Sequence, residues 1–147
     1  MSLDGTMLNA MTGSLLGASA AVATAWITQR TLSKRDLVRA EMRKRETLYG
    51  QFITECAKLF MDAFTHTLDK PETLLPLHAL INRIRLSASG PVLAEAEQLF
   101  RRITQQYFSP NLTVEEMREL ALATDADPLR PFASACRAEL QELSKQA

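Results

Sequence analysis

The sequence is poor in the residues from which most catalytic and metal sites are built. It holds two histidines and two cysteines in 147 residues, and the cysteines, Cys56 and Cys136, lie in different segments. Two distant cysteines do not make a disulfide framework, and they suit a reducing compartment. The sequence contains neither a glycine-rich phosphate loop nor a Gly-x-Ser-x-Gly motif. We therefore expect no catalytic residues, no metal and no cofactor, and hence no enzyme.

An excess of charge of either sign is also missing. The chain has 17 Lys and Arg and 17 Asp and Glu, which gives a formal net charge of zero at pH 7. Domains that bind nucleic acid usually carry a basic excess, so the balance argues against a nucleic-acid partner. Apolar residues make up 46 % of the chain, which is enough to form a folded core.

The residues that could bind a metal or act as nucleophiles have simpler structural interpretations. Asp62 and His66 are four residues apart and share a helix face, with Glu55 two turns earlier. A carboxylate-bridged metal pair would need Glu-x-x-His on two helices, and the sequence has no such motif. Cys56 and Cys136 both fall on apolar helical stripes, which predicts that they are small core residues.

The N-terminal segment contains no charged side chain between Asp4 and Arg30. A helix of about 20 residues spans roughly 30 Å of hydrocarbon, so this run is long enough to cross a membrane. Trp26 lies near its end, where an interfacial aromatic is expected. We therefore predict a membrane-anchoring helix in residues 1–30. The alternative is a soluble alanine-rich helix buried between the subunits of an oligomer.

Small residues repeat every four positions in this segment. Such spacing places them on one helix face, where two helices can approach closely in lipid, so it predicts self-association as a homo-oligomer. The residues of this small face are Gly13, Gly17, Ala21 and Ala25.

A cluster of basic residues follows the apolar run, within a predicted helical stalk over residues 31–47. Because basic flanks stay in the cytoplasm, the rest of the chain should be cytoplasmic. Part of the charge is paired along the helix, Asp36 with Arg39 and Glu41 with Arg45. The stalk is either simply solvated or in contact with anionic lipid headgroups. The candidates for contact with membrane lipid are Arg30, Lys34, Arg35, Arg39, Arg43, Lys44 and Arg45.

Residues 48–147 show helical periodicity and capping signals, but no extended alternation typical of a strand. Thr113-Val-Glu-Glu116 is a capping box, and Asp127-Pro128 is typical of a helix start. We predict an all-α protein in which a long N-terminal helix leads into an antiparallel helical bundle. The predicted helices cover about 31–67, 72–86, 91–108, 113–123 and 127–144.

Two arginines, Arg83 and Arg85, lie close to the apolar stripe of the predicted second helix of the bundle. An arginine in that position must be paired or must reach solvent. Ion pairs with Glu55, Glu95 or Glu97 are the structural interpretation, and an anion-binding spot between helices is the functional one.

The order of these features resembles a group of bacterial single-pass, membrane-anchored helical proteins of unknown function. The segments that carry the resemblance, after the small-residue helix and the basic stretch, are Arg45-Glu-Thr-Leu-Tyr-Gly-Gln-Phe52, Asn82-Arg-Ile-Arg-Leu86 and Asp127-Pro-Leu-Arg-Pro-Phe132. The resemblance implies an anchor in the bacterial inner membrane and a cytoplasmic bundle. It implies no activity and no site residues.

Two hypotheses of function follow from these patterns. The first is a non-enzymatic scaffold or docking protein, anchored at the cytoplasmic face of a membrane, with a protein partner that the sequence does not identify. The second is a soluble homo-oligomeric bundle that binds a partner and buries its N-terminal helix between subunits. A ligand site in the bundle core is disfavoured, because polar groups do not converge on the predicted inward positions.

Overall fold

The computed structural model describes residues 4–123 and 127–145, with side chains from 24 onward except at 31 and 121. All regular structure in these residues is helical, which confirms the predicted all-α fold with its long first helix. The elements are α1 (Asp4–Thr65), a 3₁₀ turn (Pro71–Leu74), α2 (Leu75–Ser87), α3 (Gly90–Tyr107), α4 (Val114–Leu122) and α5 (Arg130–Lys145).

Helix α1 is continuous over 62 residues and joins the charge-free run, the basic stretch and the bundle. At 1.5 Å per residue its length is about 93 Å, far more than the bundle itself needs. It ends at Thr65, two residues before the predicted end at about 67. The loop before α4 satisfies its last carbonyls, because the Leu112 backbone N–H donates to Phe64 O at 2.9 Å and the Asn111 amide donates to Thr65 O at 3.1 Å.

A single core lies between the second half of α1 and helices α2, α3 and α5. The predicted apolar stripes supply it, and burial occurs every three or four residues as a helix requires. The innermost side chains are Phe52, Cys56, Leu59, Ala63, Leu77, Ile84, Val92, Ala96, Ile103, Tyr107 and Phe132. Phe132 packs against Phe52 with ring centroids 4.7 Å apart, which joins α5 to α1. Ala133, although its neighbour Phe132 is buried, is exposed.

Two helix starts differ from the prediction in an instructive way. Pro71 opens a 3₁₀ turn, and α2 begins only at Leu75, so that Pro76 lies in its first turn. Asp127 caps a turn, since its carboxylate accepts from the Leu129 backbone N–H at 2.9 Å. Helix α5 nevertheless begins at Arg130, two residues beyond Pro128, because the chain first passes through that turn.

Helix α4 is short and packs less closely against the other helices than they pack against each other. Its N-terminus has the predicted capping box: Glu116 N–H donates to the Thr113 hydroxyl at 3.3 Å, and Thr113 N–H donates to the Glu116 carboxylate at 2.7 Å. Local capping, rather than burial, therefore defines where this helix begins.

Candidate functional site

The part of α1 that precedes the bundle is the most exposed regular element of the described chain. We call residues 24–44 the arm. Nearly all of its described side chains are exposed, and Leu48 is the first buried residue among the described side chains of α1. Only the last two turns of the arm are partly buried, at Val38, Glu41 and Met42. The helical form of the rest depends on local interactions such as the Asp36–Arg39 ion pair at 3.9 Å.

Six of the predicted lipid-contacting residues lie on the arm, and all six side chains are exposed: Arg30, Lys34, Arg35, Arg39, Arg43 and Lys44. At about 100° per residue, Arg30 and Arg39 point to opposite sides of the helix, and so do Lys34 and Arg43. The basic groups thus surround the helix as a collar. A helix that lies flat on a membrane would instead collect them on one side.

Large apolar side chains on the arm are exposed as well. Trp26 is 62 % exposed, Ile27 60 %, Leu32 53 % and Leu37 70 %. Trp26 and Leu37 point within about 20° of each other on the helix. Ile27 and Leu32 point more than about 90° away from Trp26, on opposite sides of it, so the four residues do not form one stripe. The Arg30 guanidinium lies 4.9 Å from the Trp26 ring centroid, so this ring already has a cation–π contact within α1.

The predicted membrane span and small face fall mostly outside the described side chains. Gly13, Gly17 and Ala21 lie in that part, whereas Ala25 is described and is exposed. Within the part of the chain that the structure describes, no helix combines the length and the apolar character needed to cross a membrane.

Arg45, the seventh predicted lipid contact, belongs to the bundle instead. Its side chain is only 19 % exposed, and its guanidinium makes ion pairs with Glu41, at 2.8 Å, and with the buried Glu139 carboxylate of α5. The sequence suggested the Glu41 pair but not the second one, because Glu139 is distant in the chain. We therefore assign Arg45 to the fold rather than to a lipid-facing surface.

Glu139 is the centre of a polar network that joins α1, α5 and the connection before α3. Besides Arg45, it accepts the Tyr49 hydroxyl at 2.6 Å and the Ser89 backbone N–H at 3.1 Å. Burial and this hydrogen bond raise the pKa of Tyr49, so its hydroxyl remains a donor at neutral pH. All polar groups of the network are satisfied, as expected of a structural element.

The Asp62–His66 pair lies at the end of α1, with Nδ1 and Oδ1 3.2 Å apart. The other Asp62 oxygen accepts the Tyr107 hydroxyl at 2.6 Å, so this carboxylate links α1 to α3. No group of three or more His, Cys, Asp or Glu side chains is placed to hold a metal ion in the described ranges.

Both cysteines lie in the core, as predicted. Burial raises the pKa of the Cys56 thiol and that of the Cys136 thiol to about 12. Each thiol is thus protonated at neutral pH, and a protonated buried thiol is a poor nucleophile.

The two arginines of α2 make local contacts. Arg85 pairs with Glu97 at 2.8 Å, one of the partners expected from the sequence. Arg83 contacts the Gln51 amide oxygen at 2.9 Å instead of a carboxylate. Both side chains are exposed, and the contacts tie α2 to α3 and α1.

Comparison of this chain with protein families, with curated proteins and with solved structures gives no match. The resemblance to membrane-anchored helical proteins therefore stays a prediction, and the geometry alone must support any proposal of function.

Proposed function

We propose that this protein is a non-enzymatic, membrane-anchored scaffold or docking protein that holds a helical bundle near the cytoplasmic face of a bacterial inner membrane. The observation that carries the proposal is the continuity of α1, which runs from the charge-free segment through the arm into the bundle core. Since one helix contains all three parts, no loop separates a membrane segment from the bundle.

The length of the arm would set the distance between the membrane and the bundle. From Arg30, where the charge-free run stops, to Leu48, the first buried residue among the described side chains of α1, the helix rises about 27 Å. That distance would keep the bundle clear of the headgroups and accessible to a partner.

The collar of basic residues fits a helix that enters a membrane steeply. Each basic residue near an anionic surface contributes about 1 kcal/mol of attraction. With basic groups on all sides of the arm, this attraction does not depend on how the helix is rotated about its axis. The collar also favours keeping the bundle on the cytoplasmic side.

The docking role is supported by apolar side chains that the bundle leaves in solvent. Phe108, Val114 and Leu122 are 75 %, 79 % and 74 % exposed. They lie at the end of α3 and along α4, the helix with the least packing. Side chains of this type are the usual anchors of protein interfaces.

A soluble homo-oligomer is the second candidate, and the exposed apolar residues of the arm favour it. Trp26, Ile27 and Leu37 would then be covered by a second copy. The lack of a continuous stripe weighs against it, because a coiled coil needs apolar residues in register along the whole seam.

Alkaline carbonate extraction of membranes tests the proposal. The untagged full-length protein should remain in the pellet, and Ala20→Arg, which places a charge within the apolar run at a cost of about 2.5–3.5 kcal/mol, should shift it toward the supernatant. Ala94→Arg is the matched control, because Ala94 lies exposed on α3, and it should behave like the original protein. Release of the unaltered protein into the supernatant would favour the soluble oligomer.

A further inference from the structure

Gly50 lies inside α1 at a position where the packing of this chain does not require a glycine. A Cβ atom placed on it would meet no other atom within 4 Å apart from the adjacent backbone of its own helix. Its backbone has a negative φ, as every described glycine does. Because glycine stabilises a helix interior less than alanine does, its presence favours a role in which a second backbone approaches closely.

The surroundings of Gly50 leave room for such an approach. Gly50 is exposed and lies between two shallow grooves, one between α1 and α2 and one between α1 and α5. Ala79 and Leu80 line the first groove, and Ala133 and Leu140 line the second. A helix packed along this side of α1 would therefore contact the backbone at Gly50, with α2 on one flank and α5 on the other.

The exposed residues of α1 next to Gly50 carry one charge of each sign. At about 100° per residue, Arg43 points within about 20° of Gly50, and Glu46 within about 40°. Both side chains are exposed, and neither makes an ion pair with a residue that the structure describes. We call Arg43, Glu46, Gly50 and Thr54 the Gly50 face.

The order of these charges distinguishes the two ways in which a second copy could pack on the Gly50 face. In an antiparallel pair centred on Gly50, Arg43 would lie opposite Ala57 and Glu46 opposite Thr54, so neither charge would be matched. In a parallel pair, Arg43 lies only three residues, about 4.5 Å along the axis, from Glu46 of the second copy. Two such ion pairs form, one from each copy, so the charges favour the parallel orientation.

One pair of like charges opposes this contact. A two-fold axis parallel to α1 places α2 of one copy beside α5 of the other. Arg83 and Arg137 are both exposed near the level of Gly50, since Arg83 donates to Gln51 at 2.9 Å and Arg137 shares a groove with Gly50. Water and salt screen the repulsion between exposed charges, so it weakens the contact without preventing it.

We propose that a second copy of this chain packs in parallel on the Gly50 face, with the two α1 backbones in contact at Gly50. Arg43 of each copy then pairs with Glu46 of the other, in a closed two-fold dimer. The inference goes beyond the proposed scaffold role and does not depend on the membrane anchor, because all of its residues lie from Arg43 onward.

Sedimentation velocity of the full-length protein in detergent solution measures this association. Gly50→Leu should weaken dimerisation at least about tenfold, because the new side chains hold the two backbones apart. The same change should raise the melting temperature of the monomer, since leucine is the better helix former and meets no atom of the chain. This rise separates loss of the interface from loss of the fold.

The matched control is Gly90→Leu, at the start of α3, where an added Cβ also meets nothing. This variant should dimerise like the original protein. A Gly50→Leu variant that associates as tightly as the original protein would overturn the proposal, and so would an original protein that stays monomeric at every concentration.

Charge reversal tests the parallel orientation. Arg43→Glu and Glu46→Arg should each weaken dimerisation about tenfold, whereas the variant that carries both changes restores the pairs and should recover. Arg137→Glu should instead strengthen dimerisation about threefold, because the new carboxylate attracts Arg83 of the second copy. A double variant as weak as the single ones, or weaker association of Arg137→Glu, would contradict the parallel dimer.

Discussion

Glu139 on α5 is the residue at which three separate segments of the chain meet. Its side chain is 7 % exposed and accepts hydrogen bonds from α1 and from the backbone before α3. A buried carboxylate is costly unless it is paired, and here the Arg45 guanidinium and the Tyr49 hydroxyl provide the pairing. The arrangement fixes the register of α5 against α1, which apolar contacts alone define less sharply.

We predict that Glu139→Ala lowers the free energy of unfolding by about 3 kcal/mol, because Arg45 and Tyr49 lose their buried acceptor. Urea unfolding followed by circular dichroism measures the change. Glu142→Ala is the control: its pair with Lys145 is about two-thirds exposed, at 67 % and 69 %, and the expected change is within about 0.5 kcal/mol. Equal effects of the two variants would show that the network contributes nothing.

The buried thiols make stability depend on alkaline pH. In the folded protein the pKa of Cys56 and that of Cys136 are about 12, against 9.0 for a free thiol. Between these two pH values the unfolded chain binds fewer protons than the folded one, so the free energy of unfolding falls as pH rises from 9 toward 12 and is unaffected by these groups below 9. Tyr49 and Tyr107, whose pKa values are also raised, act in the same direction.

Urea midpoints measured near pH 7.5 and near pH 10.5 check this dependence. We expect a lower midpoint at the higher pH and a smaller difference in the variant Cys56→Ala/Cys136→Ala, which lacks both thiols. A difference that is unchanged by removal of the thiols would assign the alkaline destabilisation to other groups.

At the scale of single elements, α4 depends most on local sequence. Thr113→Ala removes the capping hydroxyl and should cost about 1 kcal/mol. Because α4 packs loosely, we expect the lost stability to appear as faster amide hydrogen exchange in residues 114–122, while exchange in α3 stays unchanged. Thr54→Ala, which removes an exposed hydroxyl bonded to Gly50 O within α1, should leave α4 protection intact. Faster exchange throughout the bundle would contradict the local account.

The helices and most of the core could be predicted from sequence, because apolar periodicity and capping are local properties. Phe52, Ile84 and Ile103 are buried at the three- and four-residue spacing of the apolar residues in their helices, and the capping box of Thr113 and Glu116 forms as its spacing indicates. Short-range patterns therefore carry the fold class and place the helix ends within about two residues, but not the starts of α2 and α5.

The remaining features depend on contacts between distant parts of the chain. In the sequence Arg45 does not differ from the other basic residues of its segment. Its structural role becomes visible only in the fold, where Glu139 of α5 lies beside it. The Arg83–Gln51 contact is invisible for the same reason, since α1 and α2 come together only once the helices are packed. Helix α5 starts later than predicted because Asp127 caps a turn. An Asp-Pro pair before such a turn has the same sequence pattern as one at a helix start.

At the scale of the whole molecule, the bundle should fold without the N-terminal segment. Deleting residues 1–30 removes no buried side chain among those described, so helical circular dichroism and the melting temperature should be retained. Deleting residues 1–50 removes Leu48, Tyr49 and Arg45 and should abolish the cooperative transition. If the chain that begins at residue 31 unfolds or aggregates, residues 1–30 are required for the fold of the bundle, which would contradict this prediction.

We propose that α1 crosses the membrane and leaves the bundle in the cytoplasm. Single cysteines introduced by Ser2→Cys, Ser19→Cys, Ser33→Cys and Ser144→Cys, in a chain with Cys56→Ala and Cys136→Ala, can be tested with a membrane-impermeant maleimide on bacterial spheroplasts. We predict labelling of position 2 from outside, of positions 33 and 144 only after lysis, and of position 19 in neither state. Labelling at position 19 after lysis to the same extent as at 33 would contradict a membrane span, and labelling of position 144 in intact spheroplasts would contradict the topology.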